Sequence, residues 1–462
     1  MSTVLDNGRR CLRVVAALAL ARLAGCGPRG DGQPRPLVVI VSGDTAGWIV
    51  PCGCTSNQSG GLPRRAAYAA ELAGEAAVVA VDVGGAAGGT SPYDRAKFEA
   101  ILGGEAAMGI AAHNVGAPEA ALGADDLRQM AERLGVPLVS ANTSQADGRP
   151  IAEPLRMVRA AGRRLAVVGV LSPRFASDGV RVSPPREAAM AALRGAAGRY
   201  DAAIVLAYLD EDELRQLAED LPEADVVVGG PTGQPLPPRR IGPTLLLSAT
   251  RQGKFLARLD PLPGAAAGPW IGSIVELDGR LPDDPGQLAN LRCFHERLGQ
   301  RDFSPAETSF VPPWPARPPA GFAVAGSAAC RGCHEEDHGV WKRSAHARAW
   351  QSLQAKGAEV DPDCQRCHTT GYGLPRGFAS WKQSQGRVQV GCESCHGPSA
   401  AHARDPHAPT AYYAAADRQC IECHDHENSP QFAYAEYWPR IRHGEAGTAS
   451  PAAPGLKKED RK

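Results

Sequence analysis

The stretch "VGCESCHGPSAAHA" occupies residues 390–403. It places two thiols and an imidazole, Cys392, Cys395 and His396, within five positions, and a second imidazole, His402, six residues after the first. On one helical turn, positions i, i+3 and i+4 share a face. Two thiols so placed can form thioethers with the vinyl groups of one haem while the adjacent imidazole ligates its iron from the same side, the logic of the CxxCH attachment signature of c-type haem. The pattern occurs four times: Cys330-Cys333-His334, Cys364-Cys367-His368, Cys392-Cys395-His396 and Cys420-Cys423-His424. Chance would supply roughly a hundredth of one copy. Zinc sites seldom repeat one histidine in this way. The motifs therefore predict four covalently bound c-type haems, with His334, His368, His396 and His424 as proximal iron ligands. So short a segment leaves little polypeptide to insulate four haems, and the haems themselves are expected to form much of a small, mostly helical core.

All five methionines precede this segment, which excludes methionine as a distal ligand from within it. The remaining imidazoles there are His338, His346, His402, His407, His426 and His443. The segment also resembles the multihaem cytochrome c-554 family. The resemblance is carried by "CRGCHEEDHGVWKRSAHARAW" (330–350), "CESCHGPSAAHA" (392–403) and "CIECHDHENSPQFAYAEYWPRIRHG" (420–444). It implies His346, His402 and His443 as the distal iron ligands. Iron held by two histidines lacks the methionine that raises potential, so low potentials and electron transfer are expected.

The amino-terminal half reads differently. Apolar, β-branched runs at 37–41, 77–83, 136–141, 165–171, 202–206, 225–228 and 244–247 alternate with helical stretches at 62–72, 94–110, 125–134, 185–200 and 211–221. Such alternation predicts an α/β domain, a layered αββα arrangement. A last helix at 287–300 carries Cys293 and His295. This half resembles metallophosphatases of the 5'-nucleotidase/UDP-sugar hydrolase type through "VIVSGDTAGWIVPCGCTSNQSGGLPRRAAYAAEL" (39–72), "VAVDVGG" (79–85), "MGIAAHNVGAPEAALG" (108–123) and "ADVVVGGPTGQ" (224–234). The resemblance implies two metal ions held by Asp, Asn and several His. Asp44, Asp82 and Asn114 are kept, but Gly85 stands where a second Asp is expected and Tyr208 near a usual His. Only His113 and His295 precede residue 330. The expectation is a phosphatase-like scaffold without phosphatase chemistry, and no metal besides the haem iron. Cys52 and Cys54 fit a metal site, a redox disulfide or structural thiols, and Arg64-Arg65 fits an anion site at a helix start.

The first residues complete the plan. Arg9, Arg10 and Arg13 precede an apolar run that ends in Leu23-Ala24-Gly25-Cys26, which resembles a bacterial lipobox. The expected organisation is a signal peptide at 1–25 with Cys26 lipidated, a tether at 26–36, the metallophosphatase-like domain at 37–303, a Pro-rich linker at 304–324, the tetrahaem cytochrome domain at 325–445 and a disordered tail at 446–462. Fifty basic residues balance fifty acidic ones, which disfavours nucleic acid as a partner. The reading is an exported carrier in the periplasm or at the cell surface. Its expected partners are redox proteins and, through acyl chains, a membrane. Two alternatives stay open: a haem oxidoreductase acting on a small nitrogen compound at a five-coordinate haem, and a haem-linked metallophosphatase.

Overall fold

The computed structural model describes residues 35–51, 58–177, 179–262, 269–310, 318–425 and 427–444. The signal peptide, Cys26, Cys52, Cys54, His426, linker residues 311–317 and the tail lie outside the described residues. The described residues up to Phe294 form one compact unit and those from His295 a second. Among the described residues no helix is long and apolar enough to cross a membrane.

The first unit is built on strands β1 (Leu37–Ser42), β2 (Ala77–Asp82), β3 (Ala112–Asn114), β4 (Leu138–Val139), β5 (Thr143–Gln145), β6 (Leu155–Ala160), β7 (Arg163–Leu171), β8 (Val180–Val182), β9 (Ala202–Tyr208), β10 (Val226–Gly230), β11 (Leu236–Ile241), β12 (Thr244–Ser248), β13 (Phe255–Pro261) and β14 (Trp270–Glu276). One sheet runs β14-β13-β1-β2-β3-β4, another β11-β12-β10-β9-β7-β6, and β5 pairs with β8. The centre of each large sheet is parallel: Ser42 sits opposite Asp82, and Leu171 opposite Tyr208. Side chains alternate across a strand, and β1 uses both faces. Val39 and Val41 join Ile204, Leu206, Val226 and Leu247 between the sheets. Val38 and Ile40 pack with Tyr68, Ala69 and Leu72 of helix Leu62–Ala73. The outer face of the second sheet, through Ala166, Val168 and Val205, is covered by Leu193, Leu214 and Leu217 of helices Pro185–Gly195 and Glu211–Asp220. The layers are therefore α/β/β/α, as expected. Each such Val or Leu contributes about 1.5–3 kcal/mol by burial.

β1, β2, β4, β7, β9, β10 and β12 fall where the apolar runs lie, whereas the interior strands β3 and β13, the small pair β5 and β8, and β6, β11 and β14 were not anticipated. The last three are sheet edges. Their sequences carry the prolines, arginines and half-exposed positions that edges tolerate, as in "LPPRRI" of β11. Helix Pro92–Met108 begins earlier than the periodicity suggests because Ser91 and Asp94 form a capping box, and it ends at Gly109 in the left-handed region (φ 73°).

The second unit has short helices and 3-10 turns rather than a sheet. Ser327–Cys330, Glu335–Arg343, Ala349–Gln354, Pro362–His368, Cys392–His396 and Tyr434–Tyr437 are its α-helical pieces after residue 301. Its buried apolar cluster consists of Trp350, Leu353, Tyr372 and Phe378, with Phe310, Trp381 and Val388 packed against it.

Candidate haem-binding site

Each CxxCH motif closes a single turn. The backbone N–H of His334 donates to the Cys330 carbonyl at 2.9 Å, and that of His424 to the Cys420 carbonyl at 2.8 Å. The second motif ends helix Pro362–His368, and the third is the helix Cys392–His396. Thiols and imidazole of each motif thus share one turn, as the spacing predicts.

The imidazoles meet in pairs across the chain. The rings of His334 and His402 lie 6.1 Å apart, those of His346 and His424 6.1 Å, and those of His396 and His443 5.9 Å, centre to centre. Two imidazole–metal bonds of about 2 Å and two ring radii of about 1.1 Å sum to roughly 6 Å. Each pair joins one proximal ligand to one of the three distal candidates. His402 therefore faces His334 of the first motif, not His396, its neighbour in sequence.

Hydrogen bonds at Nδ1 leave Nε2 as the nitrogen available to a metal. His402 donates to the Ala408 carbonyl at 2.7 Å, His443 to that of Ile441 at 2.8 Å and His368 to that of Ala349 at 2.8 Å. His424 pairs with the Ser429 hydroxyl at 2.9 Å, and His334 with the Asp337 carboxylate at 3.4 Å. Burial, then the neighbouring histidines, holds His346 and His396 below the ordinary imidazole pKa, so both favour the neutral form that ligates metal. The donor set therefore fits c-type haem. His338 instead lies against Trp341, with ring centres 5.1 Å apart.

The thiols show how the motifs adjoin. Cys330 hydrogen-bonds with Cys392, and Cys367 with Cys423. Burial, then Cys420 and Cys392 nearby, pushes the Cys395 thiol up to about 11. The first motif therefore abuts the third, the third the fourth, and the fourth the second.

In the first unit, the positions aligned with phosphatase ligands do other things. Asp44 accepts from the Thr250 hydroxyl at 2.6 Å and from the Arg251 amide at 3.3 Å, and burial raises its pKa. The Asn114 side-chain amide donates to the carbonyls of Val83 at 2.9 Å and Val170 at 3.0 Å. Gly85 adopts φ 78°, and a Cβ there would lie 2.5 Å from the Tyr208 ring. That ring is buried and fills the space a carboxylate at 85 would need.

Sequence reasoning missed a charged network behind this surface. Asp82, Glu105 and His113 are fully buried, with ligand-type atoms within 4.8 Å of one another. Arg65 lies 3.6 Å from both carboxylates, and His113 2.8 Å from Glu105. Burial opposes charge on His113, but Glu105, Glu119 and Asp82 hold it well above the ordinary imidazole value. Arg65 and the cationic His113 already neutralise the two carboxylates, so the trio fits a divalent ion poorly. Arg65, read as a candidate anion contact, belongs to this network. Arg64 donates to the carbonyls of Gln58 and Leu277. The available signal was a Glu, Glu105, on an otherwise buried helical face.

A turn that bears two thiols and an imidazole, with a second imidazole facing the first, defines a c-type cytochrome segment. Residues 329–397 match the sequence family described as cytochrome c554 and c-prime. Cytochrome c-554 of Nitrosomonas europaea is 36% identical over 84 residues, covering 15% of this chain and 36% of the relative. The first unit is similar in fold to a 5'-nucleotidase precursor of Thermus thermophilus, at TM-score 0.51 and 20% identity over 57% of this chain and 59% of that one. It is also similar to the sulfate thiohydrolase SoxB of the same organism, at TM-score 0.51 and 16% identity over 62% and 63% of the two chains. The chain thus spans about a third of the cytochrome relative and about three fifths of these two structures. It carries a cytochrome c554-type segment, with covalent c-type haem, after a metallophosphatase-like α/β fold in the sequence.

Proposed function

We propose that the chain is a lipid-anchored electron carrier of the periplasm or cell surface, holding four c-type haems. The observation that carries this reading is the set of three facing imidazole pairs, each about as far apart as an iron between two imidazoles requires. When bound, the haems supply iron centres that take up and release single electrons. The chain's part is to tether each porphyrin through two cysteines, to orient the axial imidazoles through their Nδ1 bonds and to bring the four motifs side by side. The thiol neighbours support electron movement in the order first, third, fourth, second motif. Acyl chains on Cys26 would supply the membrane attachment, and redox proteins are the partners.

The first unit is read as a scaffold without hydrolase chemistry. Gly85 offers no carboxylate, Tyr208 fills the space before it, and the Asp44 carboxylate is engaged by Thr250. Mass spectrometry and EPR of the matured protein test the proposal. Four porphyrin adducts and three low-spin ferric signals of two-histidine type are expected. A chain without adducts overturns it, and dominant high-spin signals that respond to a small nitrogen ligand turn it toward an enzyme.

A further inference from the structure

Glu393 is the second residue of the third CxxCH motif, and it is only 3% exposed. A buried carboxylate is costly unless its oxygens are fully hydrogen-bonded. Here three backbone N–H groups donate to it. Ala325 and Ser399 reach Oε1, each at 2.8 Å, and Gly326 reaches Oε2 at 2.6 Å. The donors come from two separate stretches of chain. Ala325 and Gly326 lead into helix Ser327–Cys330 and on to His334, while Ser399 lies three residues before His402. Two further bonds join the same stretches: the Cys392 amide donates to Ser327 Oγ at 3.2 Å, and the Ala400 amide to the Ala323 carbonyl at 2.9 Å. Gly326 holds φ 93°, in the left-handed region that favours glycine, and the Arg387 guanidinium donates to the Ala325 carbonyl beside it at 3.2 Å. His334 and His402, at the far ends of the two stretches, are one of the facing pairs.

We infer that Glu393 is a positioning residue that sets the approach of His334 to His402, and with it the axial ligation at the first CxxCH motif. The inference rests on the reading that these motifs carry haem. A carboxylate suits the task because both of its oxygens accept. Glutamine keeps the size but turns one oxygen into an amide NH2 donor, which would then face a backbone N–H donor. The bond lost is a charge-assisted one, stronger than a neutral hydrogen bond. Both stretches would loosen, and the effect would concentrate on one imidazole pair rather than spread over the unit.

The test uses the full chain matured with haem, in wild-type form and as E393Q, E393A and H402A. H402A identifies the low-spin ferric EPR signal that belongs to the His334–His402 pair. E393Q is expected to keep all four porphyrin adducts, to lose intensity in that signal and, when reduced, to gain a single further haem that binds carbon monoxide. E393A is expected to go further in the same direction, with the other two pairs unchanged; if it fails to accumulate, E393Q decides. An E393Q signal identical to wild type, with no added carbon monoxide binding, overturns the inference. So does equal loss across all three pairs, the mark of general loosening. A wild-type chain without porphyrin adducts is a different outcome, because it removes the haem reading on which the inference stands.

Discussion

In the first unit, β1 buries Val39 and Val41 against the facing sheet and Val38 and Ile40 under a helix. In the second, the apolar cluster among the described residues has four buried side chains, Trp350, Leu353, Tyr372 and Phe378, with a few others such as Val324 buried outside it, while ten histidines and eight motif cysteines crowd the sequence after residue 329. Burial of apolar surface is the main favourable term in folding, and a small domain without enough of it needs another source. The first unit has that source in its own residues. The second must draw on its porphyrins, whose large apolar faces would complete a core the chain does not supply. The way to break this comparison is to withhold the haem. Replacing all eight motif cysteines with serine should abolish amide protection across 318–444, while β7, β9 and β10 keep theirs, as read by hydrogen–deuterium exchange. Protection that persists in 318–444 without haem would show that the two units fold on the same principle after all.

A second difference concerns what each unit does with ligand positions. The second unit faces its imidazoles toward one another, whereas the first packs the Tyr208 ring against Gly85, where the sequence resemblance led to the expectation of a carboxylate. Placing a carboxylate there sharpens the contrast. Gly85→Asp would place a Cβ 2.5 Å from the Tyr208 ring, at a φ of 78°. The left-handed backbone costs about 1–2 kcal/mol for a residue with a Cβ, and overpacking about 1–3 kcal/mol more. The variant should lower the stability of the first unit by about 2–5 kcal/mol, measured by chemical denaturation, and leave the haem spectrum unchanged. Paired with Tyr208→Ala, which opens the space, the loss from Gly85→Asp should shrink. Equal losses in both backgrounds would mean that the ring and the missing carboxylate are not coupled.

How much of this was legible follows the same division. The CxxCH turns show in the letters because attachment chemistry fixes spacing within five residues. The central strands of the first unit show because burial on both faces leaves continuous apolar runs. Pairing across the chain is another matter. Nothing local says that His402 faces His334 rather than the nearer His396, since that depends on how Glu393 and its three N–H donors bring two stretches together. The Arg65–Asp82–Glu105–His113 network was equally hidden. Its members sit on a helix, a strand, a second helix and a further strand, and although Asp82 and Arg65 each stand out in the sequence, nothing local says that they meet Glu105 and His113. Edge strands such as β11 were missed because their prolines and arginines read as loop.

That network gives the first unit a pH response the comparison would not otherwise predict. Asp82 is raised to about 6, first by burial and then by Glu105, against the lowering influence of His113, Arg65 and Ser42. An unfolded aspartate titrates near 3.9. Between those values the folded state holds a proton that the unfolded state has released, so this group's contribution is complete below about pH 4 and is lost as pH rises through 6. Burial pushes Glu119 up, but the His113 bond and charge together with the backbone amides hold it below its usual value, so it acts at lower pH and with the opposite sign. The unfolding midpoint of the first unit should therefore fall with rising pH between 4 and 6 relative to Asp82→Asn, which carries no titrating group at this position. Calorimetry of both forms at matched ionic strength measures the difference in slope, expected to approach one proton at most. A wild-type slope equal to that of Asp82→Asn would show that Asp82 holds no such proton in the folded state.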